Sequence, residues 1–245
     1  MNGFYVNKLV TTSISIINRS PPAVAGWPHI PTEVALTCIS FWRRRDINSA
    51  NLQTLIRPPK VYSRRDVLEK DSPVPRKPGL YAWFFKEIPP RVILENCVTL
   101  DELTLLYVGI SPKAPPRGGG RPSRQTLWHR VRYHYRGNAE GSTLRLTLGC
   151  LLSKRLGIKL RRVGSGKRMT FTHQGEEKLS QWMDQHALVS WLENPAPWVV
   201  EEQLIRSLSL PLNLQGNEHH SFHPVLSAIR AQAKASAREL PVVPG

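Results

Sequence analysis

Two tyrosines, an arginine and a glutamate are the residues of this chain best suited to chemistry. Tyr81 and Tyr107 each lie close to a glycine in a short apolar run. Arg130 follows in a cationic segment, and Glu201 in an apolar one. Hydrolysis of a phosphodiester needs an activated water, a cation against the phosphoryl oxygens and help for the leaving oxygen. These residue types can supply all three, so the set suggests phosphodiester chemistry on nucleic acid.

Helical spacing turns Arg130 and His134 inward. In the helix predicted over 126–136, they fall three and seven residues after Leu127, on or beside the apolar stripe that includes Val131. An arginine on this inner edge should meet an anion. A scissile phosphate would accept two hydrogen bonds from the planar guanidinium. A carboxylate of the core is the alternative, and this helix alone does not separate the two.

Glu201 belongs to the buried face of a helix predicted over 198–208. Apolar residues follow it three, four and seven positions later, namely Leu204, Ile205 and Leu208. A carboxylate on an apolar face is costly unless it pairs with a cation. Mg²⁺ is such a cation, because one carboxylate, waters and a substrate phosphate are enough to hold it. Asn213, just beyond the helix, either caps locally or hydrogen-bonds back into the site.

The elements that must position these residues are short strands mixed with helices. Apolar runs predict strands over 79–85, 103–110 and 187–192, and a glycine-containing turn predicts a hairpin over 159–172. Helices are predicted over 126–136, 142–156, 176–185, 198–208 and 224–240. There is no regular βαβ spacing, so the pattern indicates an α+β domain.

The chain divides unevenly into an extension and a domain. Residues 1–60 show little sustained periodicity and predict an irregular or partly disordered N-terminal extension. Residues 61–240 predict one compact domain that includes the C-terminal helix. The stretch 112–124 is rich in proline and glycine and predicts an exposed loop.

The charge points to an anionic polymer as partner. The formal net charge is +16, and between residues 102 and 176 there are 15 lysines and arginines against one acidic residue, Glu140. Intrachain pairs cannot neutralise such a block, so a phosphate backbone is a natural counterion. A basic surface that only keeps the protein in solution is the alternative. No apolar run is long enough to span a bilayer, so no membrane attachment is expected.

The three cysteines favour a cytoplasmic location. They are scattered without CxxC spacing, which indicates neither a disulfide framework nor a zinc cluster. Residues 9–17 imitate the apolar part of a secretion signal, but threonines and serines dilute the run.

In order and on the expected elements, the motifs resemble those of the GIY-YIG nuclease superfamily. Gly79-Leu80-Tyr81 and Tyr107-Val108-Gly109 stand where that family has its two triplets, with 25 residues between them. The resemblance covers residues 74–230. It implies a small α+β domain with a central antiparallel three-stranded sheet flanked by helices, which cuts DNA with a single divalent metal, Mg²⁺ or Mn²⁺.

The resemblance also implies roles for single residues near the triplets. Tyr81 and Tyr107 match the two motif tyrosines, one of which helps to activate the attacking water. Gly109 matches the glycine that lets backbone and substrate approach. Arg130 matches the helix arginine that steadies the phosphoryl transition state. His134 resembles the histidine of the Arg-x-x-x-His arrangement in the restriction-enzyme branch.

Further along the chain, the resemblance implies a metal ligand and an asparagine. Glu201 matches the metal-binding glutamate, and Asn213 the asparagine that follows a proline. Many relatives have a lysine directly after the second triplet, where this chain has Ile110 and Ser111. Either Lys113 is its substitute or the role is absent. Arg132 and Arg136 complete the predicted substrate-binding residues.

Together these observations predict a metal-dependent endonuclease with DNA as its partner. One alternative is a catalytically inactive protein of the same fold that only binds nucleic acid. The other is a basic structural or assembly protein with coincidental motifs. No obligate protein partner is evident. A homodimer stays open, because a double-strand cutter with one site per chain needs a dimer or two sequential nicks.

Overall fold

The computed structural model of the protein describes residues 49–116, 118 and 123–244. Within them, the chain forms eight helices and six strands. In chain order, these are α1 (Ser49–Ile56), α2 (Arg64–Leu68), β1 (Gly79–Phe85), β2 (Thr99–Leu100), β3 (Leu103–Ser111), α3 (Leu127–Arg136), α4 (Thr143–Leu151), α5 (Ser153–Leu156), β4 (Arg161–Val163), β5 (Arg168–Thr170), α6 (Thr172–His186), β6 (Ala187–Glu193), α7 (Trp198–Ser207) and α8 (His223–Glu239).

Helix α1 lies in the segment for which the sequence predicts an irregular extension. Residues 1–48 of that segment lie outside the described residues. Helix α1 contacts β1 and β6. Leu55 is fully buried, and its carbonyl accepts a 2.7 Å hydrogen bond from the Ser190 hydroxyl. The described end of the segment therefore packs on the sheet, while the domain limits at residues 60 and 240 stay a prediction.

The central sheet has the strand order β2-β3-β1-β6, with every pair antiparallel. Strand β1 pairs along its whole length with β3 on one side and with β6 on the other. Strand β2 adds two residues at the start of β3. The short strands β4 and β5 form a separate hairpin. Three long strands therefore make the sheet, and β1 is its centre.

The side chains of β1 alternate between two apolar layers. Tyr81 and Trp83 belong to the layer that contains residues of helices α3, α4, α6 and α8. Leu80 and Ala82 belong to the layer that contains residues of α1 and α7. Because successive side chains of a strand point to opposite faces, a strand covered on both faces is apolar throughout. This explains why all seven residues of β1 are buried.

The predicted fold class is confirmed. The protein is α+β, with an antiparallel sheet, flanking helices and a long C-terminal helix, α8. The two-residue strand β2 is the one addition to the three strands that the resemblance implies. Within the described part of the chain, no helix has both the length and the apolar character that crossing a membrane requires.

A buried ion pair ties three of the helical segments together. The Arg145 guanidinium on α4 donates to the Glu176 carboxylate on α6 through Nε at 2.9 Å and Nη2 at 2.8 Å. Its Nη1 donates to the carbonyls of His134 and Tyr135, at the end of α3. The other carboxylate oxygen of Glu176 accepts from the backbone N–H of Ala139. Helix α3, which carries Arg130 and His134, is thereby fixed against α4 and α6.

Candidate active site

Strand pairing brings the two tyrosine–glycine triplets together. Tyr81 on β1 is the register partner of Gly109 on β3. A Cβ atom at Gly109 would lie 2.5 Å from the Tyr81 hydroxyl oxygen and 2.6 Å from the ring carbon that bears it. Glycine is therefore needed at position 109, because any other residue would place its Cβ atom where the Tyr81 ring lies.

The Tyr81 hydroxyl is a junction for the polar side chains of α3. Its oxygen lies 2.9 Å from Nε2 of His134 and accepts a 3.3 Å hydrogen bond from Nε of Arg130. Tyr107 lies near enough for the two hydroxyls to influence each other's pKa values. Arg130 is held from its other end, because Nη1 donates to the Gly141 carbonyl at 2.8 Å. Three predicted site residues, Tyr81, Arg130 and His134, thus meet at one oxygen.

His134 is fully buried and neutral. Its Nδ1 lies 2.7 Å from the Ser142 hydroxyl, which also accepts the backbone N–H of Arg145. Burial, together with the charges of Arg130 and Arg145, holds the pKa of His134 well below its ordinary value. A neutral imidazole offers one donor and one acceptor nitrogen, so His134 can take a proton from one neighbour while it donates to the other.

Both tyrosines have raised pKa values. Burial is the main cause at Tyr81, and the nearby Arg130 only partly offsets it. Burial also raises the pKa of Tyr107, and the hydroxyl of Tyr81 adds to the effect. The two hydroxyls are therefore protonated at neutral pH in the free protein.

Glu201 approaches the tyrosines from helix α7, which belongs to the opposite layer. Burial raises the pKa of its carboxyl, and Lys113 opposes this shift. The carboxylate is close enough to raise the pKa values of Tyr81 and Tyr107 in turn. Lys113 therefore lies on the Glu201 side of the cluster, in the exposed segment that follows β3.

Glu201 has the properties of a ligand for a hard cation. Within the described part of the chain, no hydrogen bond and no ion pair reaches its carboxylate, although burial makes the charge costly. Among the described residues, no three histidine, cysteine, aspartate or glutamate side chains lie so that together they could hold a metal ion. Mg²⁺ fits this donor set, because it is commonly held by one or two carboxylates, waters and substrate phosphates.

Asn213 binds the outer edge of the second triplet. Its Oδ1 accepts the N–H of Val108 at 3.0 Å, and its Nδ2 donates to the carbonyl of Val108 at 2.8 Å. Beside it, the N–H of Leu212 donates to the carbonyl of Leu106. Asn213 therefore replaces a neighbouring strand at this point of β3, and its amide is fully engaged by backbone.

Arg132 and Arg136 lie away from the tyrosines. Arg132 stacks on Trp128, with 4.7 Å between guanidinium carbon and ring centroid, and donates to the carbonyls of Val67 and Leu68 at the end of α2. Arg136 is exposed and adds to the charges that lower the pKa of Arg132. Neither joins the cluster around Tyr81, so their substrate-binding role stays a prediction.

The structure adds site residues that sequence reasoning missed. Ser142 orients His134, and its position at the predicted start of a helix was a usable signal. The Arg145–Glu176 pair helps to fix α3. Its two residues are 31 positions apart in the sequence, and no local pattern indicates that they pair. Arg230 on α8 lies close enough to Tyr107 for its charge to lower the pKa of that tyrosine.

Comparison with models of protein families assigns most of this chain to a known family. The family model of the GIY-YIG catalytic domain matches residues 79–232, from the first residue of β1 into α8. The match covers more than half of the 245 residues, and the chain belongs to this family. It therefore carries a catalytic domain of the nuclease superfamily, whose members typically use a divalent metal. Searches of the curated proteins and of the solved structures returned no match.

Proposed function

We propose that the protein is a metal-dependent endonuclease that hydrolyses DNA phosphodiester bonds. One observation carries the proposal: the Tyr81 hydroxyl contacts both Arg130 and His134 and lies within electrostatic range of the Glu201 carboxylate, which pairs with none of the described residues. A group that can position water, a cation and a metal ligand are thus gathered at one point. Phosphodiester hydrolysis needs this combination.

Arg130 stabilises the charge that develops on the phosphoryl oxygens. Its Nε and Nη1 are fixed by Tyr81 and by the Gly141 carbonyl, while its Nη2 makes no hydrogen bond within the described residues. A guanidinium that is already oriented loses little freedom when a phosphate arrives, so its donors act at full strength in the transition state.

Glu201 would hold the divalent metal, with waters and the scissile phosphate completing its ligands. Bound there, Mg²⁺ or Mn²⁺ would supply Lewis-acid stabilisation of the phosphoryl and leaving 3′ oxygens. Lys113 lies on the same side of the cluster and would accompany the incoming phosphate as a second cation. Asn213 acts as a positioning residue, because it holds Val108 and with it the backbone between Tyr107 and Gly109.

Tyr81 would orient the attacking water and relay its proton. The hydroxyl accepts a proton from water as it passes its own to Nε2 of His134, 2.9 Å away. This relay uses the imidazole tautomer with its proton on Nδ1, where the Ser142 oxygen accepts it. Tyr107, whose hydroxyl lies near that of Tyr81, would help it to position the water.

Cleavage of supercoiled plasmid tests the proposal most directly. We expect nicked or linear product with Mg²⁺ or Mn²⁺ and none with EDTA. Glu201→Gln and Arg130→Ala should each lower the rate by about 10²-fold or more, while both variants keep their affinity for DNA. Glu202→Gln is the matched control, because Glu202 is the exposed neighbour that pairs with Arg206.

Two results would contradict the proposal. Plasmid that is bound but never cut, with either metal, would favour the inactive DNA-binding protein. Cleavage that survives Glu201→Gln would remove the proposed metal ligand.

The product pattern of the same assay addresses the partner and the assembly. Linear product formed without a nicked precursor would require two sites at once and hence a homodimer. Nicked product that accumulates first would indicate one site acting in sequence.

The cytoplasm stays the proposed compartment, since the described cysteines Cys97 and Cys150 are both free thiols.

A further inference from the structure

Arg230 is a half-buried cation of helix α8. The helix packs against α4 and is anchored by the fully buried side chains of Leu226 and Ala237. Nη1 of Arg230 donates to the hydroxyl of Thr147, a fully buried residue of α4, at 3.3 Å. This fixes the direction of the guanidinium.

Among the described residues, Arg230 has no acidic partner. Its guanidinium contacts a neutral hydroxyl, and no described carboxylate lies within ion-pair distance. Burial lowers its pKa, and the nearby groups that oppose this, Cys150 and Tyr107, are both neutral at pH 7. A partly desolvated cation without a counter-charge is unfavourable in the free protein, and an anionic ligand would remove that cost.

Arg230 also stands beside the catalytic cluster. Its charge and that of Arg130 both lower the pKa of Tyr107, so this tyrosine has an arginine from α3 and one from α8 in its surroundings. One turn further along α8, Lys234 approaches Cys150 together with Arg230. A row of positively charged side chains therefore extends from the two tyrosines along α8.

We propose that Arg230 binds a backbone phosphate next to the scissile one and thereby sets the path of the substrate strand across α8. The inference rests on the proposed nuclease function and names a substrate contact of the same site. Arginine suits the role, since its planar fork binds phosphate oxygens in pairs. Its contact to Thr147 uses one Nη1 proton and leaves the others for the ligand.

The salt dependence of DNA binding tests this contact without cleavage. The full chain is titrated in EDTA with a short labelled duplex at several KCl concentrations. Arg230→Met keeps the apolar stem of the side chain and removes its charge. We expect binding about tenfold weaker or more, the equivalent of one charge-assisted hydrogen bond. The slope of log K against log[KCl] is negative, and its magnitude should fall by about 0.9, the value for one phosphate contact.

Two further variants complete the experiment. Arg230→Lys should restore the slope, because the charge returns. Arg238→Met should leave it unchanged, since Arg238 is exposed two turns further along the same helix. In steady-state cleavage, Arg230→Met should raise KM and leave kcat nearly unchanged. If Arg230→Met does not fold, Arg230→Gln replaces it.

An unchanged slope and KM in Arg230→Met would overturn the proposal. So would a loss of kcat alone, which would mean that Arg230 acts only through Tyr107. Failure of the nuclease function itself has a different signature, namely wild-type protein that binds DNA without cutting it. The slope still tests Arg230 in that case.

Discussion

Several residues contact Tyr81, and each contact defines the role of the residue that makes it. Arg130 and His134 reach its hydroxyl from α3, and Gly109 makes room for its ring. The hydroxyl oxygen accepts from Arg130, so its own proton is left for His134. Removing this one oxygen therefore disconnects the proposed water-positioning group from the proposed proton acceptor.

Tyr81→Phe should lower the cleavage rate by about 10²- to 10⁴-fold, the usual contribution of a positioned acid or base. Plasmid cleavage under single-turnover conditions measures it. Tyr135→Phe is the control: its hydroxyl is also buried and donates to the Ala187 carbonyl at 2.8 Å, away from the cluster. That variant should lose about 1–3 kcal/mol of stability and keep its rate. Equal rates for both variants would exclude a catalytic role for the Tyr81 hydroxyl.

His134 should make the fold sensitive to acid. Its pKa lies well below 6.5 in the folded protein, so below pH 6.5 the unfolded chain binds one more proton at this residue. The free energy of unfolding should then fall by up to about 1.4 kcal/mol for each pH unit. Urea unfolding of wild type and His134→Gln between pH 7.5 and 5 checks this. The stability difference between them should narrow as the pH falls; a constant difference would mean that His134 titrates normally.

Glu201→Gln should stabilise the free protein at pH 7. The pKa of Glu201 is raised above its ordinary value of 4.5 in the folded protein. At higher pH, ionisation of this carboxyl therefore lowers the free energy of unfolding, and glutamine avoids that loss. The gain should vanish below pH 4.5, where both states are protonated. Thermal unfolding in EDTA measures it, and added Mg²⁺ should stabilise the wild type but not the variant. A variant less stable than wild type in EDTA would indicate a structural carboxylate instead.

At the scale of elements, the close pairing of β1 with β3 is the feature that builds the site. Gly109 permits it, because the Tyr81 ring occupies the space where any other residue would place its Cβ. The same pairing fixes the distance between the two triplets. A Cβ atom added at Gly109 therefore acts on the cluster by displacing the Tyr81 ring.

Gly109→Ala should displace the Tyr81 ring and abolish most of the cleavage. The overpacking should cost about 1–3 kcal/mol of stability. Gly118→Ala is the matched control, because no described residue lies within 4 Å of a Cβ at that position; its effect should stay within about 0.5 kcal/mol. Plasmid cleavage and urea unfolding of both variants provide the comparison. Full activity in Gly109→Ala would show that the Tyr81 position is not critical.

The sequence predicts the elements better than the contacts between them. The helix predicted over 198–208 is found at Trp198–Ser207, because a stripe of apolar residues at helical spacing is a local signal. That stripe also explains why the burial of Glu201 was predictable. The outward face of a helix carries no such signal. The sequence therefore did not indicate that Arg132 donates to carbonyls of α2.

At the scale of the whole molecule, long-range polar contacts hold the site in place. Asn213 reaches Val108 across 105 residues, and Glu176 reaches Arg145 across 31. Neither partner can be found from periodicity, since each contact depends on how distant elements pack. The predicted residues and the fold class thus came from local patterns and the resemblance, while the supporting contacts required the structure.

Breaking the buried Arg145–Glu176 pair should destabilise the whole domain. Arg145 is fully excluded from solvent, so Glu176→Gln or Arg145→Met alone should cost about 3–5 kcal/mol. The double variant should lose less than the sum, because no lone charge remains buried. Urea unfolding of the four proteins gives the coupling energy. Additive losses would mean that the two charges do not interact, and that α3 is held by apolar packing alone.

The hydrogen bonds that Leu212 and Asn213 make with β3 have a consequence for how the protein behaves at high concentration. Beyond the two residues covered by β2, the outer side of β3 would otherwise offer free N–H and C=O groups to a strand of another molecule. The Asn213 amide occupies both groups of Val108. Asn213→Leu would therefore leave an unpaired edge on β3 and also loosen the site. We expect self-association to be the first change detected in solution.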